Sequence, residues 1–120
     1  MIGNILKVFI AGPFRGANDW ERACNVHRAA EIALDVWRLG HVAYCPHANT
    51  AQFHDAAPDD VWLRGHQEML KVCDAVVLVG NWKSSAGTLS EIALANKLGI
   101  PVLEDIFAFA RWIHPKDDSE

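Results

Sequence analysis

Hydrophobic positions along the chain fall into short continuous runs and longer helical stripes that alternate. The run Ala75 to Val79 is bounded by Asp74 before it and by Gly80-Asn81 after it, the pattern of a strand buried on both faces. A polar loop, Asn81 to Gly87, leads to Thr88, and Glu91 stands three residues on, before further apolar positions. Thr-x-x-Glu ahead of an apolar run is the signature of a reciprocal N-terminal cap, and it predicts a helix from Thr88 to Gly99. Leu6 to Ala11 is a second β-rich run, ending at the loop Gly12-Pro13-Phe14-Arg15-Gly16. Asn18 with Glu21 repeats the cap, and Trp20, Cys24, Ala30, Ala33, Val36 and Trp37 carry a helix to about Leu39, closed by Gly40. His41 to Cys45 reads as a short strand and Pro46 to Pro58 as a polar loop. A helix from Asp59 or Asp60 carries Trp62, Leu63, Met69, Leu70 and Val72 toward Cys73. Ile100 to Leu103 is a short strand, Ile106 to Ile113 a helix, and the residues from Pro115 on an acidic tail.

Strict β-α alternation without an internal repeat or linker predicts an α/β protein of three layers, Rossmann- or flavodoxin-like, in a single domain spanning residues 1–120. Right-handed crossovers give a parallel sheet of four to five strands in the order 2-1-3-4. The switch point then falls between the first and third strands. The loops that follow those strands, Gly12–Gly16 and Asn81–Gly87, flank one crevice at the carboxyl edge of the sheet, where such folds bind ligands.

Composition narrows the chemistry. A net charge of -4 at pH 7 lacks the basic excess that polymeric nucleic acid would call for, and no apolar run nears the roughly 20 residues of a membrane span. Lys7 interrupts the first apolar stretch, which therefore reads as a strand and not as a signal peptide. Three cysteines, Cys24, Cys45 and Cys73, lie in apolar segments and suit a reducing, cytoplasmic setting. Cys45, His47, His54 and His66 match no common zinc spacing, so neither a metal nor another cofactor is expected.

The first loop suits an anion. Glycines admit a close approach, helix amides point at the ligand, and Arg15 offers a bidentate fork. It lacks both the Walker ending and the three-glycine dinucleotide spacing, and a tight turn with a solvated Arg is an equal reading. Ser84 and Ser85 lie across the crevice as further donors or as ordinary loop residues. Trp82, in the same loop, is placed to stack on a base, whereas Trp62 and Phe53 read as core. Glu91 has two readings of similar weight. It caps its own helix, or it is a carboxylate favoured as the anion near a helix N-terminus and suited to attack a sugar carbon.

The strings VFIAGPFRG (Val8 to Gly16), CPHANT (Cys45 to Thr50), CDAVVLVGNWKSSAGTLSEIALA (Cys73 to Ala95) and GIPV (Gly99 to Val102) together resemble the nucleoside 2-deoxyribosyltransferase superfamily, which includes the 2'-deoxynucleoside 5'-phosphate N-hydrolases. The resemblance implies Glu91 as the catalytic nucleophile that forms a covalent glycosyl intermediate. It implies Gly12 and Arg15 in a first phosphate loop and Ser85 with Gly87 in a second; Phe14, Gly16 and Ser84, in the same loops, are further candidate binding residues. It places His47 near sugar and base; Asn49, in the same string, and Trp82 are further candidate binding residues. Two positions depart from the pattern: His66 stands where the family often has an acidic residue, and Phe9 where the hydrolases have a tyrosine. His66, or else Asp59 or Asp60, then takes the role of general acid. The implied activity is hydrolysis of the N-glycosidic bond of a (deoxy)nucleoside 5'-monophosphate. Base exchange and nucleotide sensing without turnover are the alternatives. The family also implies a homodimer or homotetramer, with Ile106 to Ile113 as an apolar segment available to a partner.

Overall fold

The computed structural model describes residues 3–53 and 56–115. Four strands, β1 (Lys7–Ala11), β2 (Val42–Tyr44), β3 (Ala75–Leu78) and β4 (Val102–Leu103), form one parallel sheet in the order β2-β1-β3-β4. The order is the expected one, with four strands. β1 and β3 are buried along most of their length, so each needs apolar side chains on both faces, and the continuous runs supply them.

Alternate residues of the two central strands face two separate layers. Val8, Ile10, Val77 and Val79 meet α1 (Asp19–Arg38) and α5 (Ile106–Ile113) through Ala29, Ala33, Val36, Phe109 and Ile113. Phe9, Ala11, Val76 and Leu78 face the other way, toward Leu70 of α3 (Asp59–Lys71), Cys73, and Ala95 of α4 (Ala86–Leu98). Phe109 and Ile113 are fully buried, so the last helix fills the protein's own core and leaves mainly Phe107 exposed on its outer side. Of the apolar surface that the sequence offered to a partner, it is chiefly Phe107 that stays outside.

Three expectations are corrected. The buried stripe of α1 is Ala29, Ala33 and Val36; Trp20 is 75% and Trp37 53% exposed. At about 100° per residue, Trp20 lies on roughly the opposite side of the helix from Ala33. The stretch after β2 is not all loop, because Pro46–Thr50 forms a short helix, α2, followed by a 3₁₀ turn over Ala51–Phe53. Pro46 at the first helical position starts it. The cap of α4 is Ser85, and the helix begins at Ala86, ahead of Thr88. By contrast, Asn18 caps α1 as expected: it accepts the Glu21 amide at 2.9 Å while the Glu21 carboxylate reaches back to the Ala17 amide at 2.8 Å. His54 and the acidic tail from Lys116 on lie outside the described residues.

Candidate active site

A cleft of about 640 Å³ opens at the carboxyl ends of β1 and β3, walled by both loops, by α2 and α3, and by the start of α4. It brings together Gly12, Phe14, Arg15, His47, His66, Ser84, Ser85, Gly87 and Glu91. Three expected residues do not line it. Trp82 packs against the core layer under α3 and α4, with the Lys83 ammonium over its ring. Gly16 is occupied by the cap next to it, where an added Cβ would come within 2.5 Å of the Glu21 Cβ. Asn49 turns to the Tyr44 hydroxyl.

Backbone contacts shape the first loop. Val79 approaches Gly12 so closely that a Cβ there would sit 2.6 Å from the Val79 Cβ. The glycine is therefore required by strand packing. Asn25 of α1 donates to the carbonyls of Phe14 and Arg15, and the ring of buried His47 bridges the carbonyls of Gly12 and Pro13 at 2.8 and 2.9 Å. Both acceptors are carbonyls, so Nε2 carries the proton. Nδ1 is then a bare nitrogen, buried and without a partner among the described residues. Burial pushes the His47 pKa down, which keeps the ring neutral. His47 thus pins the loop, and Phe14 lies edge-on against it at 5.8 Å. Arg15 reaches the rim and pairs with Asp59 at the start of α3. Both side chains are largely exposed, so an incoming anion competes with a weak partner.

The second loop presents donors. Asn81 adopts a left-handed conformation, and its carbonyl takes the Ser84 hydroxyl proton at 2.9 Å. Ser85 accepts both the amide and the hydroxyl of Thr88, which leaves its own O–H without an acceptor among the described residues. That hydroxyl and the first residues of α4, Ala86 and Gly87, line the cleft at a helix N-terminus, where free amides favour negative charge.

Glu91 does not cap. With Ser85 as the cap it lies in the second turn, beyond the free amides, and it makes no hydrogen bond to a described residue. Burial pushes its carboxyl from 4.5 up to about 8, against the expectation that the helix terminus would hold it as an anion. Desolvation outweighs the helix dipole because the dipole's favourable end is confined to the first turn. A carboxyl held without partners in a cleft has the character of a functional group.

His66 on α3 is engaged at both ring nitrogens, Nδ1 to the Tyr44 hydroxyl at 2.7 Å and Nε2 to Thr50 Oγ1 at 3.1 Å. Sequence reading missed Thr50, Trp62 and Arg22 as cleft residues. Trp62, read as core, lines the wall with its indole N–H buried and unpaired among the described residues, and Arg22 pairs with Asp19 beside the first loop. For Arg22 a signal existed, a cation one turn into the helix that follows the glycine loop. Nothing marked Thr50, because its proximity to His66 depends on how α2 meets α3. Among the described residues no group of three or more His, Cys, Asp and Glu side chains gathers to hold a metal, and no helix is long and apolar enough to cross a membrane.

A parallel sheet ordered 2-1-3-4, covered on both faces and open at the switch point, defines a Rossmann- or flavodoxin-like α/β protein with a ligand cleft in the usual place. Residues 6–104 match the family described as Domain of unknown function (DUF4406), and the chain belongs to that family. Its fold is similar to that of a solved 2-deoxyribosyltransferase from Bacillus psychrosaccharolyticus, with a TM-score of 0.60 at 19% sequence identity over 94% of this chain and 93% of the other. The fold implied by the superfamily resemblance is therefore the fold observed. No curated protein matches the chain in sequence.

Proposed function

We propose that the protein hydrolyses the N-glycosidic bond of a (deoxy)nucleoside 5'-monophosphate through a glycosyl ester on Glu91. One observation carries this reading: Glu91 sits in the wall of the cleft with its carboxyl desolvated and unbonded, where a capping role would have turned it to its own backbone. In its ionised form it attacks C1', the C1'–N bond breaks, and its electron pair leaves with the base. His66, on the same cleft, gives the departing base a hydrogen bond from its Nε2–H, which steadies the electron pair the base carries away. Water then opens the ester: its oxygen bonds to C1', its proton passes to the base, and the Glu91 carboxylate leaves restored, giving a sugar phosphate and free base. The two displacements follow the retaining logic of glycosidases. The phosphate is assigned to Arg15, the free Ser85 hydroxyl and the opening amides of α4, a set that a nucleoside without phosphate would leave unused.

A second reading, base exchange, is favoured by the shared fold with a 2-deoxyribosyltransferase, and it uses the same first displacement. The test is incubation with a panel of nucleoside and deoxynucleoside monophosphates, assayed for free base, with and without a second base. Glu91→Gln is the control. Free base from the wild type and none from the variant is expected. Equal behaviour of the two sinks the role of Glu91, and thermal stabilisation by nucleotides without base release identifies a sensor instead.

A further inference from the structure

The hydrogen bonds around His66 form a chain whose direction one end decides. The Thr50 hydroxyl donates its proton to the Pro46 carbonyl at 3.3 Å. A hydroxyl has a single proton; with it directed at Pro46, the Thr50 oxygen meets His66 Nε2 as an acceptor, and Nε2 carries the hydrogen. Nδ1 of the neutral ring is then bare and accepts the Tyr44 O–H. Tyr44, its proton spent, accepts the Asn49 side-chain N–H at 3.3 Å. Every proton in the row points one way, from Asn49 through Tyr44, His66 and Thr50 to Pro46.

Resting on the hydrolase reading above, we propose that Tyr44 is a positioning residue that locks His66 in its Nε2–H tautomer, so that the cleft meets a hydrogen-bond donor of fixed identity. Strand pairing places Tyr44: its Cα partner on β1 is Phe9, and the two rings pack at 5.7 Å between centroids. The hydroxyl then reaches α3 from the neighbouring strand. A single side chain ties β2 to the helix that bears His66, and no spacing along the chain signals it. During reaction the Nε2–H turns from Thr50 to hydrogen-bond a heteroatom of the departing base and keeps its proton, while the Tyr44 bond keeps the ring in plane and closes Nδ1 to other partners.

The surroundings support a neutral ring. Burial and the nearby His47 both push the His66 pKa down, and burial pushes the Tyr44 hydroxyl up, so it remains a phenol that can donate. The other titratable groups on the cleft are Arg15 and Asp59, which pair with each other, Arg22, and Glu91 on α4. Protonating Nδ1 would require the Tyr44 proton to find another acceptor, with the Asn49 N–H already directed at that oxygen.

The experiment is ¹⁵N-detected titration of the histidine rings in the wild-type protein and in Tyr44→Phe, alongside base release from the nucleotide panel. The wild type should show His66 as the Nε2–H tautomer near neutral pH. Tyr44→Phe should mix the tautomers, move the His66 pKa up toward its ordinary value of 6.5, and lower kcat by about tenfold with KM little changed. An Nδ1–H ring or an imidazolium at neutral pH in the wild type overturns the proposal, and this measurement needs no variant to fold. So does a variant whose His66 tautomer and pKa are those of the wild type. A wild-type protein that holds the tautomer but releases no base fails the hydrolase reading instead, so the two failures are told apart.

Discussion

Replacing Glu91 by Gln exchanges a carboxyl that burial pushes from 4.5 up to about 8 for a neutral amide of nearly the same shape. Between those two values the folded protein holds a proton that the unfolded chain has already released. Stability therefore falls as pH rises through that window, by about 1.4 kcal/mol per pH unit. The loss is absent below the unfolded value, reaches about 3 kcal/mol at pH 7, and levels off at about 5 kcal/mol above pH 8. These are upper figures, because water entering the cleft lowers the desolvation cost. Against a total of roughly 5–15 kcal/mol for a small domain, even half of that is large. The Glu91→Gln variant, with no proton to release, escapes the loss. Urea unfolding of the wild type and Glu91→Gln at pH 4.5 and at pH 8.5 should give similar midpoints at the lower pH. At the higher pH the variant's midpoint should be higher by on the order of 1–2 M, given slopes of about 1–3 kcal/mol per M. A variant that stabilises while abolishing turnover is the mark of a group kept for its chemistry at a cost in stability. The reasoning is refuted if the difference between the two proteins is the same at both pH values, or if the variant is the less stable at pH 8.5.

On the proposed mechanism the same ionisation governs the rate. With the Glu91 carboxylate as nucleophile, kcat/KM for base release should climb about tenfold per pH unit below about 8 and level off above it; a profile flat from pH 6 to 9 would rule this out. Gly12→Ala drives a Cβ into the Val79 Cβ at 2.6 Å, and should cost about 1–3 kcal/mol in chemical unfolding, with an unchanged midpoint counting against the strand contact. Ser85→Ala removes the acceptor of the Thr88 amide and the free hydroxyl together. It should lower stability by about 1 kcal/mol and raise KM for nucleoside monophosphates while leaving that for nucleosides unmoved; equal changes for both would remove Ser85 from the phosphate site.

Much of the frame was legible because it depends on local periodicity. The continuous runs at Val8–Ala11 and Ala75–Leu78 could only be strands buried on both faces, and the helices between them fixed a parallel sheet with its switch point between β1 and β3. That topology alone brought the Gly12–Gly16 and Asn81–Gly87 loops to one edge. Local patterns misled where two side chains competed for one task. Thr88 and Glu91 have the spacing of a cap, yet Ser85 took the cap, and this freed Glu91 for the cleft. Trp82 stands in a cleft loop, yet its apolar area is satisfied by the core beneath.

Residue order thus determined which segments became strands and helices, how they wound, and which loops would meet, since hydrophobic spacing and chirality act along the chain. Only the folded structure decided what each polar side chain faces. The desolvated carboxyl of Glu91, the His47 ring that pins the first loop, and the tie of His66 to Tyr44 and Thr50 depend on elements brought together by the fold. Desolvation and hydrogen-bond direction are properties of neighbours in space, and no spacing along a chain encodes them.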